Sequence, residues 1–346
     1  MAYTTINKST DYFNTKLYSG NGSTQTITGV GFQPDMVWTK ARSGTSATEN
    51  HFLYDAVRGA TKPLIPNGNT AEQTQATSLT SFDSDGFTSG AKTETNGANT
   101  EYVAWNWKAG GGQGSSNTDG SINTTYTSVN TTAGFSISQY DGTGSGATVG
   151  HGLGATPKII LWKRLDSNDG TVNWIVQSPL LDNRYKVVLN TTEAKSTNSS
   201  FANVDNWSNS VFTVGTYEGQ NDSNGTYVAY AFAEKTGYSK FGSWTSNNNA
   251  DGTFVYTGFA PSFVMLKESD GTNQWVMYDN KRPGYNQTSN ALFANASSAE
   301  ATDLGVDLLS NGYKIRATNN QNTGNYIYMA FGQSLVGSNN VPCTAR

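Results

Sequence analysis

Catalysis by a nucleophile or a general base usually needs a histidine beside a serine, a cysteine or a carboxylate, and this chain of 346 residues has two histidines, His51 and His151. They stand at non-equivalent places in the repeat described below, so neither a histidine triad nor a His-rich metal site is expected. Carboxylates offer another route: Asp55, Glu72, Glu94 and Glu101 are available, and a suitably spaced pair could cleave a glycosidic bond. No compact strand-borne Glu-x-Asp-x-x-Glu pattern supports that chemistry. The acidic turns "DSDG" (83–86) and "DSNDG" (166–170) carry oxygens of the kind calcium accepts, without the twelve-residue loop and terminal glutamate of a dedicated site. They read as tight turns between strands. "GTGSG" (142–146) is followed by no helical pattern and reads as a hairpin loop, not a phosphate cradle. The single cysteine, Cys343, excludes an internal disulfide framework and a cysteine zinc site. No catalytic, cofactor-binding or metal-ligating residue is assigned, and the chain is not expected to be an enzyme.

Ligand recognition has three other candidate carriers. "DAVRG" (55–59) and "DNKRPG" (279–284) place an arginine shortly after an aspartate, with "SPLLDNR" (178–184) at the corresponding point between them, and these read as turn-stabilising ion pairs. Lys40, Lys163 and Lys267 each follow a proline by six residues; they could bind an anion, but a strand-end lysine that snorkels to solvent is the expected arrangement. Trp105 and Trp107 in "YVAWNWK" could stack on sugar rings.

What must position these residues is a plan used three times. "YVAWNWK" from Tyr102 returns as "YVAYAFA" from Tyr227 and "YIYMAFG" from Tyr326. Upstream lie "GFQPDMVWTK", "LGATPKIILWK" and "GFAPSFVMLK", whose prolines Pro34, Pro157 and Pro261 precede those tyrosines by 68, 70 and 65 residues. Between them come an aromatic-led segment ("HFLYD", "NWIVQ", "QWVMYD") and then "LIPN", "VVLN" and "LFAN", ending at Asn67, Asn190 and Asn295. Alternation puts Val103, Trp105 and Trp107 on one face of the repeated strand and Tyr102, Ala104 and Asn106 on the other. The copies keep the first face large (Val228, Tyr230, Phe232; Ile327, Met329, Phe331) while exchanging Trp for Tyr, Met or Phe, which preserves bulk and loses stacking. The large face is therefore expected inside a sandwich core.

The expected fold is all-β: three tandem antiparallel β-sandwich, jelly-roll-like domains at 1–110, 133–237 and 238–346, the last with a short C-terminal tail. Chain length favours a separate core for each over one large core. Residues 111–132, "GGQGSSNTDGSINTTYTSVNTT", have the composition of a flexible linker that would leave the first unit freely placed. With 37 glycines and 8 prolines but only 14% charged residues, the chain suits short strands and tight turns. A net charge of −4 without a Lys/Arg cluster argues against nucleic acid as a partner. No apolar run is long enough for membrane insertion, and the N-terminus does not read as a signal peptide.

The run "GFQPDMVWTKAR…HFLYDAVRG…LIPN…SFDSDGF…EYVAWNWKAGGG", with "TTAGFSISQYDGTGSGATVGHGLGATPKIILWKR" and the closing "NNVPCTAR", resembles a repeat family common in marine bacteriophage virion proteins, often described as tail fibres or as lectin-like, concanavalin-type domains. The resemblance implies a virion location and a structural role as a tail-fibre or appendage subunit or a particle-surface decoration protein. It implies as partners other virion proteins, further copies of the chain in a homo-oligomer, and a host-surface glycan. A lectin-like carbohydrate-binding protein and, behind it, a glycan hydrolase are the alternatives. It carries over no site residue and no cofactor.

Overall fold

The computed structural model describes residues 4–166, 171–283, 286, 288–302, 305–317 and 323–335. Cys343 and most of the turn 166–170 lie outside them. The fold is all-β and of sandwich type, with antiparallel pairing throughout the named sheets. In each third of the chain the repeated strand is central in a main sheet. Thr100–Trp107 lies between Phe13–Ser19 and Met36–Gly44, Thr226–Phe232 between Phe135–Asp141 and Ile159–Arg164, and Asn325–Gly332 between Ser239–Thr245 and Pro261–Glu268. A small second sheet, led by Gln25–Thr28, Ala147–Gly150 or Phe254–Tyr256, covers one face of each main sheet.

The two faces of the repeated strand take the opposite places from those expected. The smaller, tyrosine-led face fills the sandwich: Ala104 packs with Ile27 and Phe87, Tyr227 and Ala229 with Val149 and Phe212, and Tyr328 and Ala330 with Val255 and Tyr313. Tyr102 and Tyr227 also close the short helices Thr93–Asn96 and Glu218–Asn221. Tyr227 Oη accepts from Asp222 N–H at 2.8 Å and donates to Glu218 O at 2.6 Å, and Tyr102 does the same with Gly97 and Thr93. The large face looks the other way, into one core shared by all three sheets, where Trp105, Trp107, Tyr230, Phe232, Met329 and Phe331 meet. The expected core for each unit is present between its two sheets, and the shared core is a fourth that the repeat alone did not reveal. Within each sandwich the alanines of this strand sit opposite rings of the small sheet across layers about 10 Å apart, whereas in the shared core the large faces of three sheets meet one another and are filled by indoles, rings and thioethers.

Residues 111–132 are not free chain. Gly111 and Gly112 adopt φ of 84° and 126°, open to glycine at little cost. That conformation lets the N–H groups of Ala109, Gly111 and Gly112 converge on the Asp35 carboxylate at 2.7, 3.0 and 2.6 Å. Ile122 N–H then donates to Thr148 O at 2.9 Å, and Tyr126–Asn130 becomes the edge strand of the second main sheet. Glycine-rich composition measures the entropy a segment must lose. Here an aspartate and two strand edges repay that loss.

Candidate functional site

The polar residues with chemical potential gather where one unit meets the next. A backbone bond recurs at each of the three seams: Glu72 N–H to Leu165 O (2.8 Å), Lys195 N–H to Ser269 O (2.6 Å) and Glu300 N–H to Arg42 O (3.0 Å). Donors and acceptors occupy the same places in the repeat, five residues after the landmark asparagine and two after the landmark lysine. The units thus close head to tail into a ring of three. Trp174 Nε1 donates to Ile65 O at 2.9 Å and Trp275 Nε1 to Val188 O at 2.8 Å, again from equivalent positions. By position the third member of that set is His51, buried and held neutral, which accepts from Trp38 Nε1 at 2.9 Å and whose Nε2 makes no hydrogen bond across the seam among the described residues. His51 is therefore the counterpart of Trp174 and Trp275, one position away from the alignment of "HFLYD" with "NWIVQ" by first letters. The landmark asparagines confirm the register: the side-chain oxygens of Asn67, Asn190 and Asn295 each accept the backbone N–H of His51, Trp174 or Trp275 at 2.9 Å.

Beside this backbone seam lies a buried ionic group. Arg58 Nε meets Asp55 Oδ2 at 2.6 Å and its Nη1 meets Glu72 at 3.0 Å, with the Arg58 and Asp55 side chains 1% and 0% exposed. The neighbouring unit completes it, because Tyr230 Oη donates to Asp55 Oδ2 at 2.5 Å. Burial works against the Arg58 charge, but Asp55, Tyr230 and Glu72 outweigh it and raise the pKa. Burial likewise pushes the Tyr230 phenol well up, leaving it a donor. At the seam between the third and first units the group recurs: Arg282 Nε to Asp279 at 2.7 Å, Arg282 Nη1 to Glu300 at 3.0 Å, and Trp105 Nε1 as the donor to Asp279 at 3.1 Å. The Arg282 guanidinium also lies 5.8 Å from the Trp105 ring centre.

The remaining seam omits the ions. Strand register makes Met329 the counterpart of Trp105 and Tyr230, opposite Met265, Trp38 and Leu161 respectively. A methionine has no proton to give a carboxylate, and the positions of Asp55, Arg58 and Glu72 are held in the second unit by Ser178, Leu181 and Lys195. Leu181 is fully buried in the shared core, and Ser178 Oγ turns to Lys158 O at 2.6 Å. "SPLLDNR" therefore does not repeat the ion pair through Asp182 and Arg184. Asp182 meets Lys195 at 3.1 Å, and Arg184 donates to the carbonyls of Ser199 and Phe201. The donor on one unit and the acceptor on the next change together, which is how contacting residues behave.

Lys40, Lys163 and Lys267 do not snorkel; all three are buried. Carbonyls cage them: Ala41 and Ala47 around Lys40, Val172 and Asn69 around Lys163, and Asn273, Thr192 and Gly271 around Lys267, at 2.7 to 3.2 Å. Asn69 and Thr192 belong to the preceding unit, so the neighbour that closes over the strand end also satisfies the ammonium. Burial lowers each of the three pKa values to about 8. An unfolded lysine keeps its proton to about pH 10.4, so between these values the unfolded chain binds more protons and stability rises with pH. Urea unfolding is expected to show a gain of about 1 kcal/mol or more per lysine between about pH 8 and about pH 9.5, below the range where exposed tyrosines ionise. Lys163→Met and Lys267→Met should flatten that slope, and stability that falls with pH in the parent chain would contradict the assignment.

The other candidates are placed apart. Trp105 and Trp107 are 0% and 2% exposed, which removes them as a sugar platform. Asp55 and Glu72 meet on Arg58, which takes up both charges, while Glu94 pairs with Lys92 and Glu101 accepts from Ser19, so the four carboxylates do not gather at one site. In the 83–86 turn, Asp85 accepts the N–H groups of Gly29 and Gly31. His151 Nδ1 accepts from Leu153 N–H, and burial lowers its pKa to about 4. The 142–146 stretch is a loop before Ala147–Gly150. Among the described residues no group of three or more His, Cys, Asp or Glu could hold a metal ion. At the centre of the ring a cavity of about 10 Å³, lined by Met36, Trp107, Tyr230, Phe232, Met265 and Met329 among others, has room for about one water and apolar walls.

No curated protein and no solved structure matches this chain. One family does, over residues 8–334, so a single family unit spans the whole closed ring. The chain belongs to the family described as a domain of unknown function, DUF7483.

Proposed function

We propose that the chain is a structural component of a bacteriophage particle, a tail-fibre or appendage subunit or a surface decoration. The observation that supports the reading is the use made of its reactive side chains. Tryptophans, buried lysines and Asp–Arg–Glu groups that elsewhere bind or transform substrates here join one unit to the next. A ring of three covalently linked units has a fixed stoichiometry and needs no assembly step, which suits a part presented in many copies. Low charge with abundant Ser, Thr and Asn also suits contacts between subunits, since neutral polar groups can be wet or hydrogen-bonded there without the desolvation cost of ions. Mass spectrometry of purified particles whose genome encodes the chain tests the proposal. Its peptides are expected in stoichiometric amounts across the particle peak in a density gradient, and their absence from that peak would remove the reading.

A further inference from the structure

Each unit's small sheet has an edge strand, and the three edges are treated differently. In the second unit the outward N–H and C=O groups of Thr148 are taken by residues 121 and 122: Ile122 N–H donates to Thr148 O at 2.9 Å, and Thr148 N–H to Ser121 Oγ at 2.9 Å. The counterpart of Thr148 in the third unit is Phe254, because Val149 faces Phe212 as Val255 faces Tyr313. Thr257 N–H donates to Asn311 O and Ile315 N–H to Thr253 O, so odd-numbered residues of this strand bond inward. The backbone groups of Phe254 and Tyr256 therefore point to the open side, where they meet no partner among the described residues. Among the described residues their side chains are the large apolar groups left exposed, 43% and 63%, where the first unit has Thr26 and Thr28 and the second Thr148 and Gly150. Gly312 leaves room for the Phe254 ring to lie across the sheet.

We propose that this edge is a self-association surface, on which Phe254–Tyr256 of a second copy pairs antiparallel about Val255. Opposed residues in an antiparallel pair alternate between hydrogen-bonded and non-bonded positions. Centred on Val255, a twofold pairing sets Phe254 of each copy opposite Tyr256 of the other at bonded positions, so every outward N–H and C=O of the two residues gains a partner. The same register makes two cross-strand aromatic pairs on the outer face. Charge does not oppose the contact, since Lys314 and Arg316 beside the rings are already paired with Asp251 and Asp307. Exposed edges are otherwise a hazard that polar residues blunt, and aromatic residues stand at this edge alone among the three.

Three residues a side bury far less than the roughly 800 Å² per partner of stable complexes, so the pairing is reversible at about 0.1 mM. Sedimentation velocity of the full chain from about 0.01 to about 1 mM is expected to show the mass rising from monomer toward dimer. Tyr256→Lys, on an exposed side chain, should weaken the association at least about tenfold by setting a lysine against an aromatic partner. Thr28→Lys at the first unit's edge should leave it unchanged. Val255→Cys in a Cys343→Ser background should oxidise to a linked dimer, because position 255 lies opposite itself. A chain monomeric throughout, a dimer indifferent to Tyr256→Lys, or a monomer whose Phe254 and Tyr256 resonances shift with added disaccharide would overturn the proposal.

Discussion

Arg58→Leu is expected to lose about 3–5 kcal/mol of stability, because it leaves the Asp55 carboxylate buried between two units without a counter-charge, held only by the Tyr230 phenol and the backbone N–H of residue 58. The informative experiment is the repair. Asp55→Ser, Arg58→Leu and Tyr230→Met together copy the seam that the chain already builds from Ser178, Leu181 and Met329. Replacing a buried ionic group by apolar residues of similar volume is often neutral, so the triple variant should regain most of the loss. Urea unfolding of parent, single and triple variants decides the matter. A triple variant no more stable than Arg58→Leu would mean that the three positions do not act as one group.

The second large effect concerns the shared core. Residues 133–237 expressed alone would bare Ile137, Ile159, Leu161, Tyr230 and Phe232, all of which face the other two sheets. The apolar burial left to the piece, between the second main sheet and its small partner, is too little to offset the entropy of ordering a chain of that size. It is expected to show no cooperative thermal transition by circular dichroism and no dispersed amide spectrum. The intact chain, in contrast, should unfold in one calorimetric transition despite its length, since no unit can leave the ring without exposing the core of the others. A well-folded isolated unit, or three resolved transitions, would refute this.

Alternation within "YVAWNWK" correctly sorted Trp105 and Trp107 from Tyr102 and Ala104, because a strand's period of two is a property of its backbone. It did not say which face lies inside the sandwich, since both are apolar and the choice depends on what stands opposite. The same gap explains the lysines: Lys163 looks like a strand-end cation until Asn69, almost a hundred residues earlier, closes over it. The seam code was legible in principle. Trp105, Tyr230 and Met329 vary in step with Asp279, Asp55 and Ser178, but that covariation has meaning only once the ring shows which unit each strand faces.

By itself, then, the sequence determined the strands, their two faces, the threefold repeat and the all-β class, because these follow from local backbone geometry and from side-chain size. The tertiary structure alone decided that the large faces meet one another, that residues 111–132 are held rather than loose, and that lysines and ion pairs are buried at seams. Those outcomes depend on contacts between residues as far apart as Trp105 and Asp279, and the free energy of such a contact is set by its partner and by the water both exclude.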